Sequence, residues 1–144
     1  RTGGQVGVPL FAPRDLETFF IDVQFKYRGF AASAEAAARR TSDPITSAGA
    51  DTSFVLAGGG FSAQASYLTR SGFEPALRLS VVAPQRSLDA LAPRHQQASL
   101  GLTRYLQGHR VKLQGELLRD ARRDRSTRTT RVGWTLRTSM EVGI

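Results

Sequence analysis

The chain has 144 residues, no cysteine, an apolar fraction of 40% and a mean hydropathy of −0.27. Its 20 Lys and Arg against 12 Asp and Glu leave a formal net charge of +8, which points to an anionic partner: nucleic acid, lipid headgroups or small anions. No apolar run approaches the roughly 18 residues of a membrane helix, but strands that alternate lipid-facing and lumen-facing residues also average to a soluble hydropathy, so a membrane is not excluded.

The chain opens on Arg1 with no charged-then-apolar leader, as a processed export product or a portion of a longer protein would. The absence of thiols fits a Gram-negative envelope protein. Residues 1–17 read as a loop or linker. Gln5 to Ala12 contains Pro9, is followed by Pro13 and alternates poorly, so it reads as loop rather than as an extra strand.

From residue 18 to residue 144 the pattern is that of strands. In Phe19 to Arg28, Phe19, Ile21, Val23, Phe25 and Tyr27 oppose Phe20, Asp22, Gln24, Lys26 and Arg28. A tight turn at Arg28-Gly29 follows. Ala31 to Arg40 is rich in alanine and has helix propensity, but its place directly after a strand and a Gly turn makes it the returning strand. A polar linker spans Thr41 to Gly60. Phe61, Ala63, Ala65 and Tyr67 then oppose Ser62, Gln64 and Ser66, and a turn at Ser71-Gly72 leads to Glu74–Val81, where Leu77, Leu79 and Val81 oppose Glu74, Arg78 and Ser80. After a linker at Pro84 to Arg94, Ala98, Leu100, Leu102 and Leu106 oppose Gln97, Ser99, Gly101 and Thr103. A third turn at Gln107-Gly108 precedes Arg110–Leu117, in which Val111, Leu113 and Leu117 oppose Arg110, Lys112, Gln114 and Glu116. Beyond the linker at Asp120 to Arg128, Val132, Trp134, Leu136, Met140, Val142 and Ile144 oppose Arg131, Gly133, Thr135, Arg137, Ser139, Glu141 and Gly143.

A soluble sandwich also alternates. Two features favour an all-β, antiparallel, up-and-down transmembrane barrel. The strands exceed the usual length of about 5–6 residues, and short turns alternate with long loops, as at the two rims of such a barrel. Tyr27, Phe30, Tyr67, Phe73 and Tyr105 flank the tight turns and, with Trp134, are candidates for membrane-interface aromatics. The last segment alternates up to Ile144, like the closing strand of bacterial outer-membrane proteins, although Ile stands where Phe is usual. The count is about 7–8 strands, fewer than a wide channel needs, and an odd number leaves bare edges that lipid does not tolerate. The chain therefore reads as the C-terminal part of a larger barrel, with an isolated eight-stranded barrel as the alternative.

Three hairpins carry a family resemblance. "DVQFKYRGFAASAEAAARR", "FSAQASYLTRSGFEPALRLSVV" and "ASLGLTRYLQGHRVKLQGELL", in that order and followed by the terminal strand, resemble the C-terminal portion of the phosphate-selective porin family of outer-membrane β-barrels. The resemblance covers Phe19 to Ile144. It implies a water-filled, usually trimeric channel of about 16 strands per subunit in the bacterial cell outer membrane. In characterised members lumenal Arg and Lys conduct anions. No dense constriction-loop lysine cluster is present in this chain, so phosphate selectivity is not carried over.

On the polar faces, Lys26, Arg28, Arg39, Arg78, Arg110, Lys112, Arg131 and Arg137 are the candidate basic lining of an anion path. Asp22, Glu35, Glu74, Glu116 and Glu141 are their acidic counterparts, and cross-strand neutralisation, for example Glu35 with Lys26 or Glu116 with Arg137, is the structural alternative to conduction. The run from Arg119 to Arg131 reads as an extracellular loop that either pairs internally or bridges lipopolysaccharide phosphates; it lacks the interleaved aromatics of a nucleic-acid surface. No catalytic set is legible. His95 and His109 lack metal-ligand spacing, there is no Gly-x-Ser-x-Gly elbow, and Gly58 to Gly60 lacks the Lys-Ser/Thr of a phosphate loop. The expectation is a non-enzymatic porin-like channel for small hydrophilic solutes, with no metal or cofactor, in contact with outer-membrane lipid and lipopolysaccharide. The alternatives are a structural or assembly barrel without a channel, and a soluble basic β-domain that binds nucleic acid.

Overall fold

Nine strands and no α-helix make up the described residues, 15–48, 51–106, 110–124 and 127–143 of the computed structural model. Expectations for Gln5 to Ala12, the Gln107-Gly108 turn, His109 and Ile144 lie outside the described residues. Seven strands form one antiparallel sheet: β1 (Glu17–Tyr27), β2 (Phe30–Arg40), β5 (Gly58–Tyr67), β6 (Phe73–Pro84), β7 (Arg94–Tyr105), β8 (Val111–Arg123) and β9 (Thr130–Val142), each paired with the next in that order. The alanine-rich stretch is a strand, β2, as its position after the Gly turn predicts.

The two segments left out of this sheet form a hairpin, β3 (Ile45–Ala48) with β4 (Asp51–Phe54), inside the linker expected at Thr41 to Gly60. All three expected linkers are shorter than the sequence suggests. β5 begins at Gly58, β7 at Arg94, and β8 continues to Arg123. Polar residues at these strand ends still fit the ladder, because backbone pairing does not require an apolar side chain.

The turn between β1 and β2 shows the local chemistry. Arg28 and Gly29 both have positive φ, +46° and +85°, the mirror-image turn whose twist matches that of a hairpin. A Cβ on Gly29 would lie 2.6 Å from the Leu68 carbonyl oxygen. Gly29→Ala is therefore expected to destabilise the sheet by about 1–3 kcal/mol, read as a lower urea midpoint in one lipid or detergent medium.

Packing is unlike that of a globule. Among the described residues the buried apolar ones are Val55, Ala57, Leu88 and Ala121. The first three belong to the long connections 41–57 and 85–93, which are tied together where the Gln85 amide donates to the Ala57 carbonyl at 2.8 Å and the Gln85 side chain to the Thr41 carbonyl at 3.1 Å. The sheet itself buries almost nothing. Phe19, Val23, Leu100, Leu136 and Met140 are all more than half exposed, and every residue of β1 and β9 is exposed.

The sheet order ends at β1 and β9, and no closure between them is seen. Six successive antiparallel pairings leave β1 and β9 running in the same direction. Direct closure would thus make a parallel pair, whereas an all-antiparallel barrel needs an odd number of additional strands between these edges.

Candidate functional site

Register sorts the side chains into two faces. Residues opposite one another across an antiparallel ladder share a face, and successive residues alternate. One row runs Asp22, Glu35, Ser62, Ser80, Gln97, Asp120, Gly133; the adjacent row runs Val23, Ala34, Ala63, Leu79, Ala98, Arg119, Trp134. The first belongs to a polar face, the second to a predominantly apolar one.

The polar face is concave. It bounds a cavity of about 1050 Å³ to which all seven strands contribute, from Gln24 and Lys26 on β1 through Arg78 on β6 to Arg137 and Ser139 on β9. Residues from the two ends of the sheet can border one space only if the sheet curls. No described residue of 41–57 or 85–93 lines this cavity.

The acids of the face are mostly held. Glu116 meets Arg137 at 3.6 Å, the pair expected from the strand order. Glu141 meets Lys112 at 2.8 Å. Glu74 accepts hydrogen bonds from the Ser66 hydroxyl at 2.8 Å and the Tyr105 hydroxyl at 2.6 Å. Asp120 lies 2.5 Å from His95 Nε2 and 3.3 Å from Arg122 Nε, and also accepts from the Gln97 amide at 3.2 Å. Asp22 and Glu35, by contrast, stand directly opposite each other. Glu35 is therefore not the cross-strand partner of Lys26, which faces Ala31. Lys26 and Arg78 share the polar parity, line the cavity and make no ion pair among the described residues. With Arg137 they outnumber the cavity-lining acids Glu74 and Glu116.

The remaining expected positions divide. Arg39 is on the polar face and donates to the Thr18 hydroxyl at 3.3 Å. Arg131 stands opposite Arg122 on that face. Arg28 is not on a strand wall: it occupies the turn, with its guanidinium 5.2 Å from the centre of the Tyr27 ring. Arg110 precedes β8, where its carbonyl accepts from the Gly143 amide.

Tyr27, Phe30, Tyr67 and Phe73 lie on the apolar face near the short turns. Phe25, Tyr27 and Phe30 have ring centres 6.2–6.5 Å apart along two contacts, and Arg104 lies 4.2 Å over the Phe73 ring. Trp134 is on the same face, 64% exposed and nearer the other end of the strand. Tyr105 is different: it lines the cavity and is hydrogen-bonded to Glu74. Its odd number, matching Thr103 rather than Leu102, already carried that information.

No protein family, curated protein or solved structure matches the chain.

Proposed function

We propose that this chain forms part of the wall of an outer-membrane porin-like channel for passive diffusion of small hydrophilic solutes, with a preference for anions. The observation that carries the reading is the pairing of a polar, net-basic concave cavity with a broad, solvent-exposed apolar reverse face on one curled sheet. In water such an apolar surface favours association, and in lipid it is the face a barrel wall requires.

The outline of the apolar face supports the reading. On β1 it runs from Phe19 to Tyr27, roughly 20 Å of height for a strand tilted by about 40°, close to the apolar band of such barrels. Its upper limit steps down in register across the sheet, from Glu17 and Arg40 to Gln96 and then Arg119, while its lower limit extends from the β1–β2 turn to Val111 and Val142. A band that runs oblique to the hydrogen-bonded rows is what tilted strands and a staggered register produce.

The parity of the edge strands supports a portion of a larger barrel; the resemblance of the three hairpins extends the proposal to a barrel of the phosphate-selective porin kind, assembled as a trimer and neither catalytic nor cofactor-dependent. Ion pairs such as Glu116–Arg137 and Lys112–Glu141 favour a second reading, a structural barrel whose lumen is neutralised by its own charges.

The purified barrel containing this wall is expected to need detergent and to conduct in planar bilayers, with current in a KCl gradient carried mainly by chloride. A monodisperse, detergent-free preparation would defeat the membrane reading; stable insertion without ohmic current would leave only the structural barrel.

A further inference from the structure

One cluster interrupts the apolar face. Arg94 and Arg123 are direct cross-strand partners, and Arg119 stands between Ala98 and Trp134. All three share the parity of Leu100, Leu102, Leu113 and Leu117, and they occupy the ends of β7 and β8 nearer the long loops. Like charges directly opposite on neighbouring strands repel. Among the described residues none of the three makes an ion pair, and the Nε of Arg94 is buried without a hydrogen-bond partner. The basic residues at the same height on the polar face are treated differently, since Asp120 serves both His95 and Arg122. Ala121, between Arg119 and Arg123 on the outer face, is only 4% exposed, as an alanine becomes when long side chains lie over it.

A multivalent oxyanion would answer every one of these features: it screens the repulsion between three guanidiniums and offers an acceptor to the orphan Nε. We propose that Arg94, Arg119 and Arg123 form a binding site for the phosphate of an anionic lipid headgroup in the leaflet on the long-loop side. The proposal rests on the barrel-wall reading, because it assigns the outer face to lipid. Position argues for a headgroup over free phosphate. The site opens onto the apolar face beside Trp134, whose ring suits the boundary between headgroups and hydrocarbon, and not into the cavity.

The test uses the complete barrel that contains this wall, refolded into phosphatidylcholine vesicles doped with phosphatidic acid, with insertion read separately by protease protection. Retention of phosphatidic acid on the purified protein is compared with the Arg94→Gln, Arg119→Gln, Arg123→Gln triple variant and with an Arg122→Gln, Arg131→Gln control on the polar face. The triple variant is expected to lose on the order of a hundred-fold in retention, each basic residue at an anionic lipid surface contributing about five-fold. The control is expected to retain the lipid as the parent does, and excess inorganic phosphate to displace little of it. Equal retention by the triple variant, loss in the control alone, or full displacement by inorganic phosphate overturns the site while leaving the wall reading intact. Failure of the parent barrel to insert overturns both.

Discussion

Leu100→Arg is expected to destabilise the protein in a lipid bilayer by about 2–4 kcal/mol, the cost of a guanidinium on the lipid face near the bilayer midplane. Leu100 is 61% exposed and lies in register between Leu77 and Leu117, with Leu136 on the next strand of the same row. This is the middle of the apolar face, far from either rim, so the new charge cannot reach water by extending along the strand. Thr103→Arg, on the same strand but of the polar parity, is expected to change stability by less than about 1 kcal/mol, because its side chain enters an aqueous cavity. The comparison is made by urea unfolding in lipid vesicles. Equal costs for the two substitutions would mean that the apolar face is not the one in contact with lipid.

Much of this geometry was legible before any coordinates. Alternation in Phe19 to Tyr27 and Val111 to Leu117 assigns the same faces as the register does, since period 2 is a property of the strand itself. Alanines at both parities hide the faces of β2, and there the turn chemistry of Arg28-Gly29 supplied the answer. The β3–β4 hairpin escaped notice because strands of four residues carry too few alternations to stand out. Tyr105, although it stands near a turn, has the polar parity, and the hydroxyl bond to Glu74 explains why an aromatic suits a polar wall. Register had to be seen to relate the charges. Only pairing shows that Asp22 faces Glu35, that Arg94 faces Arg123, and that the apolar band descends across the sheet.

The arginines at the loop end fall into two groups, which the proposed lipid site and the proposed channel assign to different tasks. Arg94, Arg119 and Arg123 have the outer parity, and Arg122 and Arg131 the inner one, although the sequence presents Arg119 to Arg131 as a single basic run. In an extended backbone, adjacent residues belong to different faces. A run that averages to one charge cluster therefore serves two surfaces, and substitutions within it are expected to act on lipid retention or on ion flow according to parity.

On the proposed channel reading, ion selectivity is expected to depend on the inner set, and above all on Lys26 and Arg78. Both line the cavity and have no ion-pair partner among the described residues, so their charge is not cancelled locally as that of Arg137 is by Glu116. Walls of low dielectric concentrate the field of such groups inside a pore. Replacing both by glutamate changes the lining by four unit charges, each site passing from +1 to −1, and leaves the Glu116–Arg137 pair in place. Lys26→Glu with Arg78→Glu is expected to lower the chloride-to-potassium permeability ratio by roughly 3- to 10-fold at low salt, with the effect shrinking as the screening length falls. The reversal potential in a KCl gradient measures it. Outer-face Arg119→Glu, which changes charge on the opposite surface, is expected to leave that potential where it was. A double variant that conducts with unchanged selectivity would assign the filter to other strands of the barrel, and this portion of the wall would then serve passage without choosing the ion.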